Sequence, residues 1–252
     1  MKRKRLEFGR LWAALFWLAL WQAASMVLAQ PLLLPSPASV LRRLAVLACG
    51  TAFWKAAAWS AVRILGGFLA GCLLGIALAV PAARRPWLRT LLELPVSAAK
   101  TVPVASFIIL VLVWFSSRTL PVLIAGLMVF PGVYLSVLGG IDSADPKLVE
   151  MARVFRVPAL RRLTGIYLPA VLPHFRAAAA LGLGLCWKAG VAAEVIGLPA
   201  GSLGERLYTA KVYFETVDLF AWTAAIVALS TLFEKLVLWA LSALERRCGG
   251  AV

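Results

Sequence analysis

What most limits this chain is that its apolar residues arrive in runs about as long as a bilayer is thick. Runs rich in Leu, Val, Ala, Ile, Trp and Phe recur near 11–30, 61–80, 94–115, 120–141, 172–196 and 218–242. A hydrocarbon core of roughly 30 Å takes about 20 helical residues to cross. Lipid offers the backbone no water, so each run must satisfy its own N–H and C=O groups as a helix. The sequence therefore predicts an all-α, polytopic membrane protein with six transmembrane helices. Composition agrees, with 62% hydrophobic and 15% charged residues, against about 45–50% and ~25% in soluble domains.

The 26 Lys and Arg outnumber the 11 Asp and Glu, a balance that would also suit a nucleic acid. Nothing in nucleic-acid binding calls for repeated apolar spans, and the basic residues instead follow the loops, as the positive-inside rule expects. Lys2, Arg3, Lys4, Arg5 and Arg10 precede the first span, and Arg84, Arg85 and Arg89 follow the second. Lys147, Arg153, Arg156, Arg161 and Arg162 follow the fourth, and Arg246 and Arg247 the sixth. All of these clusters share one side if both termini are cytoplasmic. The apolar run at 11–29 exceeds the about 7–15 residues of a secretory signal core, so it is expected to remain as the first span. Cys49, Cys72, Cys186 and Cys248 are scattered and read as small apolar residues, not as a metal site or a disulfide framework.

The loops carry local signals. Residues 31–60 are broken by Pro31, Pro35 and Pro37, after which Ser39 is placed to cap a short helix with Leu41, Leu44, Ala45 and Ala48 along one side. That pattern predicts a helix lying in the outer interface. "SSRTL" joins the third and fourth spans as a tight hairpin. In the second span Gly67, Gly71 and Gly75 recur every fourth residue, leaving a bare strip where another helix can approach closely. That partner is either a helix of the same bundle, the preferred reading, or a second copy of the chain.

The loop at 142–170 is unlike the rest: "DPKLVEMARVFRVPALRRLTGIYLP" is charged and punctuated by prolines. Asp145 can cap a helix whose first position is Pro146. Leu148, Ala152 and Phe155 then share one face, with Glu150 and Arg153 on another. Pro158 disfavours helix at Val157 and opens a second segment. There Leu160 and Leu163 continue the apolar side and Arg161 and Arg162 turn away. The expectation is two short amphipathic helices meeting at a sharp bend.

With this loop the chain resembles the membrane permease subunits of bacterial ATP-binding-cassette importers. Their signature reads Glu-Ala-Ala, three residues, Gly, nine residues, then Ile-x-Leu-Pro, and Glu150, Ala152, Ile166, Leu168 and Pro169 stand at the matching positions. Met151 replaces the first Ala and Arg156 replaces the Gly. Arg tolerates positive φ less well than Gly, so the bend is expected at Pro158 instead. "LPSP", "LPAVLPHFRAA", "AAEVIG" and "GSLGERLYTA" look like the nitrate/sulfonate/taurine branch.

The resemblance implies a type I ABC importer permease fold over 1–252, with 142–170 as a cytoplasmic coupling loop. It assigns ATPase coupling to Asp145, Leu148, Glu150, Ala152, Arg153, Phe155, Arg156, Pro158, Leu160, Ile166, Leu168 and Pro169. The implied partners are two copies of an ABC ATPase, which bind ATP and Mg, an extracellular or periplasmic substrate-binding protein and a second copy of the chain. The implied solute is small, of the anionic nitrate, sulfonate or taurine kind, and the implied location is the bacterial cytoplasmic (inner) membrane. The chain itself carries no G-x-x-x-x-G-K-[ST] phosphate loop, so it is expected to hold no cofactor and to hydrolyse no ATP.

Ionisable groups at membrane depth are candidates for function because they need a partner or water. Lys100, Lys188 and Glu194 are the pathway candidates. Lys188 and Glu194 lie about 120° apart around a helix, and Glu194 can pair with Lys100, line the route, or be structural. The single histidine, His174, starts a helix without a nucleophile or second base organised around it, so no catalytic residue or metal site is expected. Gly201 and Gly204 can permit a re-entrant bend, with Glu205, Arg206 and Lys211 open to a soluble partner. An ATP-independent channel or secondary transporter explains the apolar spans but not the charged loop, and a membrane enzyme lacks a reactive cluster.

Overall fold

The computed structural model describes the backbone of residues 2–249 and the side chains of residues 12–243. The basic clusters at 2–10 and 246–247 therefore lie outside the described side chains. Every regular element among the described residues is helical.

Helix α1, Lys2–Leu28, stands at the edge of the bundle. It is tied in where the Trp21 ring meets Phe220 at 5.8 Å and Ser25 Oγ donates to the Leu34 carbonyl at 2.9 Å. Helix α2, Pro37–Cys49, is capped by Ser36, whose Oγ accepts from the Ser39 N–H at 3.2 Å. The cap thus falls three residues before the expected Ser39, because a proline fits the first helical position, where its missing N–H costs nothing. Val40, Leu44, Leu47 and Ala48 form its packed side, while Leu41 and Ala45 point outward.

Helix α3, Thr51–Arg84, runs 34 residues, about 51 Å at 1.5 Å per residue. It absorbs residues 51–60, which the sequence reading left in the loop; "TAFWKAAAWS" contains neither Gly nor Pro and is rich in Ala, so nothing stops the helix there. The span expected at 94–115 is instead two helices, α4 (Pro86–Thr101) and α5 (Val104–Leu112), bent by 103°. Pro103 has no N–H to continue the ladder and holds Val102 extended, at ψ 127.

Helix α6 is Leu120–Asp142. Beyond it come α7 (Pro146–Val154), α8 (Ala159–Arg162) and a π-helical turn, Leu163–Tyr167, that leads directly into α9 (Leu168–Gly197). Helices α10 (Leu203–Val212) and α11 (Thr216–Gly249) complete the chain. Among the described residues, four helices are long and apolar enough to cross a membrane: Thr51–Arg84, Leu120–Asp142, Ala159–Gly197 and Thr216–Ala243. The bent α4–α5 pair is a fifth candidate, and the described apolar part of α1, Trp12–Leu28, is shorter.

The core lies where α3, α6 and α9 pack together around Ile64, Phe68, Val129, Val133, Leu183 and Trp187. Gly67, Gly71 and Gly75 all face α6. A Cβ on Gly71 would lie 2.6 Å from the Gly126 carbonyl oxygen, and one on Gly75 would lie 2.9 Å from Val133 Cγ1. Small residues are what allow backbones to approach this closely, and dispersion across such a seam drives helix association in lipid. Helix α11 braces α9, with Phe233 stacked on Trp187 at 5.6 Å. It also holds α2 through a two-pronged ion pair, Arg43 Nε to Asp218 Oδ1 at 2.5 Å and Nη2 to Oδ2 at 2.7 Å. The Asp218 hydrogen bond, opposed by desolvation and aided by the Asp218 charge, raises the Arg43 guanidinium above its already high value.

Candidate functional site

Two features stand out from a bundle otherwise held by packing: an exposed elbow at one end and a buried carboxylate near the other. The elbow begins at Asp145, whose carboxylate accepts the Lys147 N–H at 2.8 Å and caps α7, with Pro146 in its first position. Next to it, Asp142 at the end of α6 pairs with Arg89 of α4 at 3.0 Å.

The far end of α7 closes in a left-handed corner. Arg156 N–H donates to the Arg153 carbonyl at 3.1 Å and Val157 N–H to the Ala152 carbonyl at 2.9 Å, with Arg156 at φ 48. These are the two bonds of a Schellman motif. The expectation that Arg156 would avoid this conformation is thereby corrected. Two otherwise orphaned carbonyls gain donors, which offsets the about 1–2 kcal/mol that a Cβ costs in left-handed backbone. Pro158, extended at φ −53 and ψ 146, then opens α8. Corner and restart are separate residues.

Of the expected apolar face, only Ala152 is covered, at 2% exposure. Leu148, Met151, Val154 and Leu163 are exposed, and Phe155 and Leu160 reach 75% and 71%. Glu150 and Arg153 are also exposed. Contacts between α7 and the rest of the bundle are sparse. Ile166, Leu168 and Pro169 are half-buried where the π-turn enters α9. A π-turn inside a helix shifts its register and frequently marks a functional position.

The carboxylate is Glu194, fully buried near the end of α9. Its Oε2 accepts from Ser60 Oγ of α3 at 2.7 Å and from the Gly204 N–H of α10 at 3.1 Å. The Ser60 oxygen in turn accepts the Leu203 N–H at 2.9 Å. Glu194 Oε1 has no hydrogen-bond partner among the described residues. Arg63, one turn from Ser60 and 4.9 Å from the Trp59 ring centroid, adds positive charge nearby. Glu194 is thus bound to Ser60 and Gly204, with no link to Lys100, which is exposed near the end of α4.

Residues 198–202 turn the chain back on itself. Leu198 is left-handed at φ 48 and Gly201 at φ 78. Ser202 Oγ accepts the Glu205 N–H at 3.0 Å while Glu205 Oε2 accepts the Gly201 N–H at 2.6 Å. Ser60, Ser202 and this capping arrangement escaped the sequence reading. The Ser-x-x-Glu spacing of 202–205 was the signal for the cap, whereas nothing local distinguishes Ser60.

Lys188 lies on the opposite side of α9 from the core, exposed in line with Leu181 and Leu185. His174 is exposed, its Nδ1 3.1 Å from the Ala170 carbonyl oxygen.

Comparison with known proteins joins these features. The chain is 30% identical over 233 residues to the taurine transport system permease protein TauC of Escherichia coli K12, covering 90% of this chain and 83% of that protein. It is 27% identical to the putative aliphatic sulfonates transport permease protein SsuC of Bacillus subtilis 168, covering 81% and 74%. It is 28% identical to the riboflavin transport system permease protein RibX of Chloroflexus aurantiacus, covering 91% and 84%. Residues 71–249, which include part of the α3–α6 seam, the elbow and Glu194, match the pattern of the binding-protein-dependent transport system inner membrane component. The chain belongs to that family, as a permease component of an ABC transport system.

Proposed function

We propose that the chain forms the membrane half of an ATP-driven importer of a small anionic solute, with residues 142–170 as its cytoplasmic coupling loop. The observation that carries the proposal is the elbow. Phe155, Leu160, Leu148 and Met151 present apolar area on a capped bend beyond the long helices, a face suited to a partner groove. The motif spacing at Glu150, Ala152, Ile166, Leu168 and Pro169 favours that over a helix resting on the lipid surface. In this reading the groove belongs to a separate ATPase subunit, which supplies ATP and Mg, one ATPase for each of two permease copies. Glu150, Arg153 and Arg156 set the register of that contact by charge. Both termini are cytoplasmic, and a substrate-binding protein docks on the opposite face. A stand-alone channel or secondary transporter has no use for such an elbow.

The route runs between two copies of the chain, and Lys188 faces it. Lys188 lies nine residues inside the end of α9, about 13 Å along the axis. A cation at that depth avoids lipid and seeks water or an anion. The taurine and sulfonate relatives carry the names of anionic or zwitterionic solutes, which supports the same solute class here. In this reading the substrate-binding protein holds most of the ligand specificity, which is compatible with similarity to a permease named for riboflavin transport.

Reconstitution tests the proposal. Permease, ATPase and binding protein co-purify and give ATP-dependent uptake into proteoliposomes, whereas Phe155→Asp abolishes both co-purification and uptake without lowering helical content by circular dichroism. Uptake that continues without ATP would falsify the reading.

A further inference from the structure

The helix that leaves the elbow is the same helix that ends at the buried carboxylate. From Ala159 to Gly197 it forms one span of 39 residues that includes the π-turn, about 58 Å long at 1.5 Å per residue. One continuous helix thus connects Leu160 at the elbow with Glu194. What happens there depends on how α10 is attached.

The attachment is direct. Gly204 is pressed so tightly on α9 that a Cβ there would overlap Glu194 Cβ, and it would also lie 2.6 Å from the Val195 nitrogen. The Gly204 N–H reaches Glu194 Oε2, and the Ser60 hydroxyl links Glu194 to the Leu203 N–H. One carboxylate oxygen and one hydroxyl thus hold the first turn of α10, whose unpaired N–H groups and dipole favour negative charge. Separating α10 from α9 would leave a fully buried carboxylate without those donors, an outcome that burial strongly disfavours. The other end of α10 turns through residues 213–215 into α11, against which α10 also packs. It closes with Phe214 left-handed at φ 57, and Tyr213 and Phe214 are exposed there at 71% and 79%.

We propose that Glu194 is a positioning residue that makes α10 ride on α9, so that α9 tilting driven at the elbow moves α10 as a gate at the opposite end of the bundle. This rests on the importer reading above. Ser60 is the second member of the clasp, joining the gate to α3, and the buried Glu194 Oε1, without a hydrogen-bond partner among the described residues, is a second acceptor to which those donors can shift during the movement.

The test uses the reconstituted complex of permease, ATPase and binding protein. The exposed Thr209 is replaced by Cys in a background where Cys49 and Cys248 are Ser, and is labelled with a membrane-impermeant maleimide in nucleotide-free and vanadate-trapped states. With Glu194 present, the labelling rate differs severalfold between the states. Glu194→Ala removes the difference and the uptake while basal ATP hydrolysis persists, and Glu194→Gln, which keeps an acceptor for Ser60 and Gly204, restores both. If Glu194→Ala does not assemble, Ser60→Ala carries the same expectation. A state-dependent rate that survives in the assembled Ala variants overturns the clasp. So does a wild-type rate that ignores nucleotide while ATP-driven uptake proceeds. Absence of ATP-driven uptake in the wild type overturns the importer reading instead.

Discussion

Ala29, Arg156, Leu198 and Phe214 hold left-handed backbone without being glycine, and each sits just beyond a helix end. Their shared position shows that the closing hydrogen bonds, not side-chain preference, decide the conformation. Arg156→Gly is accordingly expected to keep the elbow and gain at most about 1 kcal/mol, partly offset by chain entropy. Arg156→Val, β-branched and far less tolerant of positive φ, should cost about 1–2 kcal/mol and lower ATP-driven uptake; thermal unfolding and transport assays read the two effects. Glycines differ just as sharply by environment. Gly71→Val drives a side chain into the Gly126 backbone and should cost about 1–3 kcal/mol or more, seen as a lower melting temperature. Gly132→Ala meets nothing within 4 Å and should be neutral or stabilise by about 0.4–1 kcal/mol. The Gly67, Gly71 and Gly75 spacing was legible in the sequence, but which helix it faces was not.

At the scale of elements, α3 continued where the sequence had no stop signal and the chain broke at Pro103, whereas Pro81, Pro95, Pro131 and Pro173 are carried inside helices. Thr51–Arg84 is longer than expected because residues 51–60 contain no breaker, and the α4–α5 bend falls at Pro103. Both facts were present in the residues; the apolar run at 94–115 hid the second. The α2–α11 contact is different, because Arg43 and Asp218 are 175 residues apart. Arg43→Ala and Asp218→Ala should each destabilise the fold, and the double variant should be little worse than either. The partly exposed arginine limits the coupling to roughly 1 kcal/mol, measurable by a double-mutant cycle in detergent.

For the whole molecule, the three-helix core of α3, α6 and α9 joins the elbow to the buried carboxylate. The elbow hangs from α6 and α9, and Glu194 ties α9 to α3 and α10. Lys188 lies on the side of α9 that the core leaves uncovered. Under the proposed route, Lys188→Ala should reduce uptake of an anionic solute about tenfold, the effect of losing roughly 1.4 kcal/mol. Lys188→Arg should retain most of it, and transport kinetics in proteoliposomes with saturating binding protein separate the two.

Hydropathy and punctuation by themselves determined that the chain is helical, that it belongs in a bilayer, and that one charged loop bends between two short helices. Those properties follow from local chemistry: lipid forces hydrogen bonds inside each segment, and Asp145, Pro146 and Pro158 act on their immediate neighbours. Tertiary structure alone decided that Glu194 meets Ser60 and Gly204, that Gly71 meets Gly126, and that Lys188 stays uncovered. Each of those outcomes depends on how far one helix is rotated against another, which no spacing within a single helix specifies.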